Sequence, residues 1–119
     1  MGKTLVLGAS PKETRFSHKA VKALIRLEYD VVAVGKKAGF VKDVEIQTGM
    51  PNIENVDTII LYLGAGSQEE YYDYMIGLKP RRIIFNPGTH NQEFIDMCKK
   101  HGIDPVVDCA LIMLNSETY

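Results

Sequence analysis

The stretch TLVLGASPKETRFS, residues 4–17, decides the fold of this chain. It opens with an aliphatic run from Thr4 to Leu7, which is typical of a strand buried on both faces. Gly8 ends the run, and a polar loop comes next. Ser17 then stands where a side chain caps the first free N–H groups of a helix, which we predict over Ser17 to Glu28. A buried strand that leads through a glycine loop into a helix indicates an α/β domain.

The rest of the chain repeats this alternation of short apolar runs and helical stretches. We predict four further strands, at Val31–Val34, Asp57–Leu63, Arg82–Phe85 and Pro105–Asp108, and three further helices, from Ser67 to about Gly77, over Asn91–Lys100 and over Ala110–Asn115. Residues 35–51 are predicted to be irregular. The pattern favours one Rossmann-like α/β domain over residues 1–119, with a five-stranded parallel sheet of order 3-2-1-4-5 and helices on both faces.

Net charge, apolar run length and cysteine usage narrow the range of possible partners and compartments. A chain of 119 residues with a formal net charge of -1 has no long-range field to gather nucleic acid or an anionic membrane, so we expect neither as a partner. No apolar run approaches the roughly 20 residues that span a bilayer. Cys98 and Cys109 form no CxxC pair, which favours a reducing, cytoplasmic compartment.

The first loop has the residue types of a phosphate site. In open α/β sheets the ligand lies beyond the carboxyl ends of the strands, and a helix N-terminus favours an anion there. Ser10 and Ser17 offer hydroxyls, and Arg15 can make a forked contact to phosphate oxygens. The alternative is a plain surface loop with a capping serine. From this and the other loops at the same edge we predict a cofactor-binding set of Gly8, Ala9, Ser10, Arg15, Phe16, Ser17, Gly35, Lys36, Lys37, Gly64, Ala65, Gly66, Asn86, Pro87 and Gly88.

The residues after the second predicted strand narrow the choice of cofactor. The dinucleotide pattern G-x-G-x-x-G is absent, and Gly35-Lys36-Lys37 stands where NAD enzymes place an acid on the ribose. Lysines at this point suit an extra phosphate on the adenosine ribose, as in NADP or coenzyme A. A solvated lysine pair is the alternative.

Three segments together resemble the small CoA-binding proteins that are similar to the N-terminal domain of the succinyl-CoA synthetase alpha subunit. They are Gly8-Ala9-Ser10 with Arg15 and Ser17, the run from Val34 to Gly39, and the tail from Cys98 through Ile103 to Cys109. The resemblance covers nearly the whole chain. It implies a CoA-binding Rossmann domain with the diphosphate near Ala9, Ser10 and Ser17, phosphates near Arg15 and Lys36 or Lys37, and Gly64 to Gly66 flanking the nucleotide. Gly35 departs from the usual proline, which leaves the choice between the two lysines open.

No combination of nucleophile and general base stands out, so we predict no catalytic residues. His90 on a crevice loop is the best single candidate, His18 lies near the predicted phosphate, and Cys109 lies where a thiol can meet the pantetheine arm. Histidines and cysteines show no chelating spacing, so no metal site is expected.

We therefore expect a protein that binds coenzyme A or an acyl-CoA without catalysis of its own. The alternatives are a small NADP-dependent oxidoreductase and a regulatory nucleotide-binding subunit of a larger enzyme. Tyr71, Tyr72 and Tyr74 form an aromatic cluster that either packs on the sheet or makes a face for a homodimer or a larger enzyme partner.

Overall fold

A computed structural model describes residues 2–119 and consists of one seven-stranded sheet with helices on both faces. The strands are β1 (Lys3–Leu7), β2 (Val31–Val34), β3 (Gly39–Val41), β4 (Val44–Gln47), β5 (Val56–Leu61), β6 (Arg82–Phe85) and β7 (Asp104–Val107). The helices are α1 (Phe16–Arg26), α2 (Ala65–Gln68), α3 (Tyr72–Gly77), α4 (Gln92–Lys100) and α5 (Ala110–Asn115), with a 3-10 turn (Glu69–Tyr71) between α2 and α3.

The sheet has the order β3-β4-β2-β1-β5-β6-β7. Every neighbouring pair is parallel except β3 and β4, which form an antiparallel hairpin. The central strand β1 is paired at both edges, with β2 and β5, and Leu5, Val6 and Leu7 are buried under the helices of the two faces. This explains why residues 5–7 of β1 are all apolar instead of alternating with polar residues.

Successive strand residues point to opposite faces, and each face has its own core. Leu5 and Leu7 of β1 lie on the face covered by α3 and α4, where Phe94 of α4 is fully buried. Val6 of β1 lies on the face covered by α1 and α5, where it belongs to one cluster with Leu24 of α1. The predicted helices on both faces are confirmed.

The predicted count and order of strands are wrong. Residues 35–51 were predicted to be irregular, but they contain β3 and β4, and β4 takes the place beside β2. The strand predicted at Asp57–Leu63 therefore lies next to β1 instead of at the edge beyond β2. The hairpin gave little signal because its strands are short and each has exposed residues, Phe40 in β3 and Glu45 and Gln47 in β4.

One predicted helix cap and one predicted helix start are also wrong. Ser17 lies inside α1 and is only 5% exposed, while the N-cap position is Arg15, whose side chain makes no capping hydrogen bond. The second helical segment begins after Gly64 instead of at Ser67. Asn91 does cap α4, because its Oδ1 accepts a hydrogen bond from Phe94 N at 3.2 Å.

The tyrosine cluster packs into the protein. Tyr72 is buried and stacks on Phe94 with 4.5 Å between ring centroids, and Tyr71 and Tyr74 are partly buried against the same core. A network around the buried Gln68 fixes the adjoining loops, since its Nε2 donates to the carbonyls of Leu63 and Thr89, both at 2.8 Å.

The outer strand β7 has a proline at its free edge. The backbone nitrogens of Asp104 and Asp108 donate hydrogen bonds to the carbonyls of Arg81 and Phe85, on the β6 side. Because the N–H groups of successive strand residues point to opposite edges, the backbone nitrogens of Pro105 and Val107 point away from β6. Proline has no N–H, so the edge offers one strand donor fewer. Within residues 2–119, no helix has the length and apolar character needed to cross a membrane.

Candidate functional site

A cleft of about 360 Å³ opens at the carboxyl end of the sheet, between the β1–α1 loop, the residues after β2 and the end of β5. We call it the α1 cleft. Its size falls within the roughly 300–1,000 Å³ of small-molecule sites. Its lining is Gly8, Ala9, Ser10, Pro11, Lys12, Arg15, Phe16, Ser17, Lys36, Lys37, Tyr62 and Leu63.

The floor of the α1 cleft is set by close backbone packing. Gly8 N and Ala9 N both donate to Val34 O, at 2.8 and 3.0 Å, so these two amides are already used inside the protein. Gly8 has a φ of 98°, and a Cβ there would lie 3.0 Å from the Tyr62 backbone. At Gly35 a Cβ would lie 2.1 Å from Ala9 O. Both glycines are thus required by contacts between neighbouring strand ends.

Free hydrogen-bond donors come from the start of α1. The first helical bond runs from Lys19 N to Arg15 O at 3.2 Å, and no side chain of residues 2–119 caps the helix. The amides of Phe16, Ser17 and His18 therefore keep the donor capacity of an open helix N-terminus, where the helix dipole favours an anion. Ser10 Oγ accepts from Lys12 N at 3.1 Å, which leaves its hydroxyl proton free to donate.

Charge in the α1 cleft is of one sign. Lys12, Arg15, Lys36 and Lys37 are all exposed around it, and no carboxylate belongs to its lining. Phe16 stands at the rim with 68% of its surface exposed, and Lys19 Nζ lies 5.3 Å from its ring centroid. In a chain of net charge -1 this concentration of cations attracts a polyanion, and the free aromatic face can stack on a flat ring.

Tyr62 and Leu63 form an uncharged wall of the α1 cleft, and neither belongs to the predicted set. They were predicted to extend the third strand, but β5 ends at Leu61, so both side chains reach the α1 cleft. Burial, and to a lesser degree the nearby Cys109 thiol, raises the pKa of the Tyr62 phenol above its ordinary value. Tyr62 therefore stays neutral at physiological pH. Pro11 and Lys12 are two further lining residues outside the predicted set.

A family model described as a CoA binding domain matches residues 2–115. The chain belongs to this CoA-binding family. None of the curated proteins matches the sequence.

Solved structures share the fold of this CoA-binding domain. A crystal structure described only as that of an uncharacterized protein is 41% identical, with a TM-score of 0.96 over 100% of this chain and 98% of the other. The Thermus thermophilus protein cell-free ID.343 is 20% identical with a TM-score of 0.85, over 99% and 91% of the two chains. A hypothetical protein from Pyrococcus horikoshii OT3 is 21% identical with a TM-score of 0.86, over 98% and 83%. The last two show the fold alone.

The CoA-binding domain brings eight of the predicted residues together in the α1 cleft: Gly8, Ala9, Ser10, Arg15, Phe16, Ser17, Lys36 and Lys37. Gly35 is buried behind Ala9 and shapes the cleft floor. Gly64, Ala65 and Gly66, and likewise Pro87 and Gly88, are exposed at the same edge of the sheet but do not line the cleft.

Asn86 has a structural position in this CoA-binding domain. It is buried, its Nδ2 donates to Leu61 O at 2.9 Å, and its Oδ1 accepts from Ala110 N at 2.8 Å. The side chain thereby joins the end of β5 to the start of α5. His90 is exposed and lies outside the cleft lining, whereas His18 is buried with its Nδ1 2.9 Å from Ser10 O. In the part of the chain that the structure describes, no group of three or more His, Cys, Asp or Glu side chains could hold a metal ion.

Proposed function

We propose that this chain binds coenzyme A or an acyl-CoA in the α1 cleft, through phosphates held at the N-terminus of α1, and catalyses no reaction of its own. The observation that carries the proposal is the coincidence of four cleft cations with an uncapped helix N-terminus in a member of a CoA-binding family. Coenzyme A carries a diphosphate and a 3′-phosphate, so a site for it needs two groups of anion ligands.

The diphosphate is assigned to the helix end. The open amides of Phe16, Ser17 and His18 and the hydroxyl of Ser10 are short-range donors, and Arg15 adds a forked charged contact. Because Gly8 N and Ala9 N are bonded to Val34 O, they shape the loop and take no part in holding the phosphates.

The 3′-phosphate is assigned to Lys36 and Lys37, which follow β2 on the adenosine side of such domains. The adenine is assigned to the exposed face of Phe16, because base–aromatic stacking needs an open ring. The wall of Tyr62 and Leu63 is then left for the pantetheine arm. We assign no catalytic group, because the imidazole nearest the cleft, His18, already has its Nδ1 committed to Ser10 O.

A ligand panel read by thermal unfolding tests the function. A ligand at about 100 times its dissociation constant adds about 2.7 kcal/mol to the unfolding free energy, which raises the melting temperature of a domain of this size by about 10 °C. We expect this with CoA and acetyl-CoA and no comparable rise with NAD. A rise with NADP and none with CoA would overturn the proposal in favour of an NADP-dependent enzyme, for which the two lysines would hold the 2′-phosphate.

Two arginines of the α1 segment make a matched pair. Arg15 stands at the cleft, and Arg26 stands at the other end of the same helix, where it donates to Asn115 Oδ1 at 3.2 Å. Losing a charged hydrogen bond to phosphate costs about 1.5–3 kcal/mol, so Arg15→Gln should weaken CoA binding about 10- to 100-fold. Arg26→Gln should leave the dissociation constant unchanged. Equal effects of the two substitutions in a titration by calorimetry would contradict the assignment.

Partner and compartment are further parts of the proposal. Both cysteines are free, which agrees with the reducing, cytoplasmic compartment expected from the sequence. A homodimer or a larger enzyme partner would show as an excess over 13.3 kDa in size-exclusion chromatography with light scattering.

A further inference from the structure

The loop that lines the α1 cleft is held from behind by a buried histidine. His18 is only 3% exposed, and its Nδ1 lies 2.9 Å from the carbonyl oxygen of Ser10, eight residues earlier. A carbonyl oxygen only accepts hydrogen bonds, so the imidazole proton must be on Nδ1. The sequence made His18 a candidate for direct contact with phosphate, but its side chain turns to the loop.

The Ser10–Pro11 peptide can be held by only one hydrogen-bonding group. Pro11 has no N–H, so this peptide plane can be held only through its carbonyl. Ser10 Oγ accepts from Lys12 N at 3.1 Å, and Arg15 N donates to Lys12 O at 3.1 Å, so the next turn is already closed. The bond from His18 therefore supplies the hydrogen bond that holds this peptide plane between Ser10 and the start of α1.

The direction of this carbonyl matters for an anion. A carbonyl oxygen carries a partial negative charge, and in the α1 cleft it would repel a phosphate that the N–H groups attract. Bonded to the buried His18, the Ser10 oxygen is withdrawn from the cleft. A loop already in its binding shape also loses less conformational entropy when the ligand binds.

We propose that His18 is a positioning residue, which keeps the Ser10 carbonyl turned inward and the phosphate loop preorganised for CoA. This rests on the proposed function of the α1 cleft. The His18 side chain acts through the loop backbone and needs no contact of its own with the ligand.

Substitutions that keep or move the donor test this role. The amide nitrogen of Asn lies where Nδ1 of His lies, whereas that of Gln reaches one atom further. With CoA binding measured by calorimetry, His18→Asn should stay within about threefold of the wild-type dissociation constant, and His18→Leu and His18→Gln should raise it about tenfold. If His18→Leu fails to fold, the Asn and Gln variants decide. Wild-type affinity in a folded Leu or Gln variant, or an Asn variant as weak as Gln, would overturn the role.

Two measurements on the free protein separate this inference from the proposed function. In nitrogen-15 NMR, the His18 ring should be the Nδ1–H tautomer, and a ring protonated only on Nε2 would overturn the inference. Amide exchange of Ser10 and of residues 12–15 should speed up in the Gln variant and not in the Asn variant. If wild-type protein fails to bind CoA, the proposed function fails, while these two readouts still decide whether His18 holds the loop.

Discussion

Replacing Gly35 with alanine tests how the α1 cleft is built. A Cβ at this position would lie 2.1 Å from Ala9 O and 3.3 Å from Ile46 Cγ2. Real Cβ contacts hardly ever fall below 3.0 Å, so the end of β2 and the loop must separate by about 1 Å. Neither side yields easily, because Gly35 N donates to Gln47 O at 2.9 Å and Ala9 N donates to Val34 O at 3.0 Å.

The expected loss is large for one methyl group. Overpacking of this kind costs about 2 kcal/mol, which corresponds to a fall of about 8 °C in the melting temperature of a domain of this size. Because the displaced loop carries Ser10 and leads to Arg15, CoA affinity should also fall, about tenfold. Urea unfolding gives the first quantity and calorimetric titration the second.

Gly77→Ala is the matched control for this change. No atom lies within 4 Å of a Cβ at Gly77, the residue ends α3, and it does not belong to the cleft lining. Alanine there should leave CoA affinity unchanged and stability unchanged or about 0.5 kcal/mol higher. If Gly35→Ala behaved like Gly77→Ala in both measurements, the close approach of Gly35 to the loop could not be what shapes the cleft.

Two more outcomes are expected. The double variant Lys36→Gln, Lys37→Gln should weaken CoA about tenfold and dephospho-CoA by less than about twofold, because only CoA has the 3′-phosphate; equal losses in calorimetry would refute this assignment. Arg81 donates a hydrogen bond of 3.0 Å to the Asp57 carboxyl, and this bond holds the pKa of the carboxyl below its usual value. The ion pair therefore stabilises the folded protein above the unfolded pKa of about 4, and this stabilisation is lost as pH falls through the folded pKa. Since the pair is solvent-exposed, Arg81→Gln should cost at most about 1 kcal/mol at pH 6 and less than that at pH 2, by urea unfolding at each pH; a constant difference would contradict it.

The elements that the sequence predicted well are those with unambiguous burial. The run Thr4–Leu7 and the strands Val31–Val34 and Arg82–Phe85 lie within one residue of their predicted bounds, because apolar residues fill both sides of each. The hairpin of β3 and β4 was not predicted, because its strands have only three and four residues and are separated by Lys42 and Asp43. Without β4, the strand order could not be right, since the position beside β2 was left free for the wrong strand.

The sequence likewise predicted part of the candidate site and missed the rest. The position of the first loop follows from the strand, loop and helix order alone, and eight residues of the predicted set line the cleft, six of them from this loop and the start of α1. Tyr62 could not be found, because a tyrosine within an apolar run has the pattern of a strand residue. The inward turn of His18 depends on a bond to a residue eight positions away, and no local pattern encodes that distance.

The proline at the free edge of β7 bears on what this protein does at high concentration. An open strand edge is a template on which another chain can continue the sheet, and repeated addition produces fibrils. Because Pro105 faces this edge and has no N–H, an added strand would lack one backbone hydrogen bond there, next to the exposed Val107. Addition of a further strand at the β7 edge is therefore disfavoured, which lowers the tendency of this edge to start a fibril.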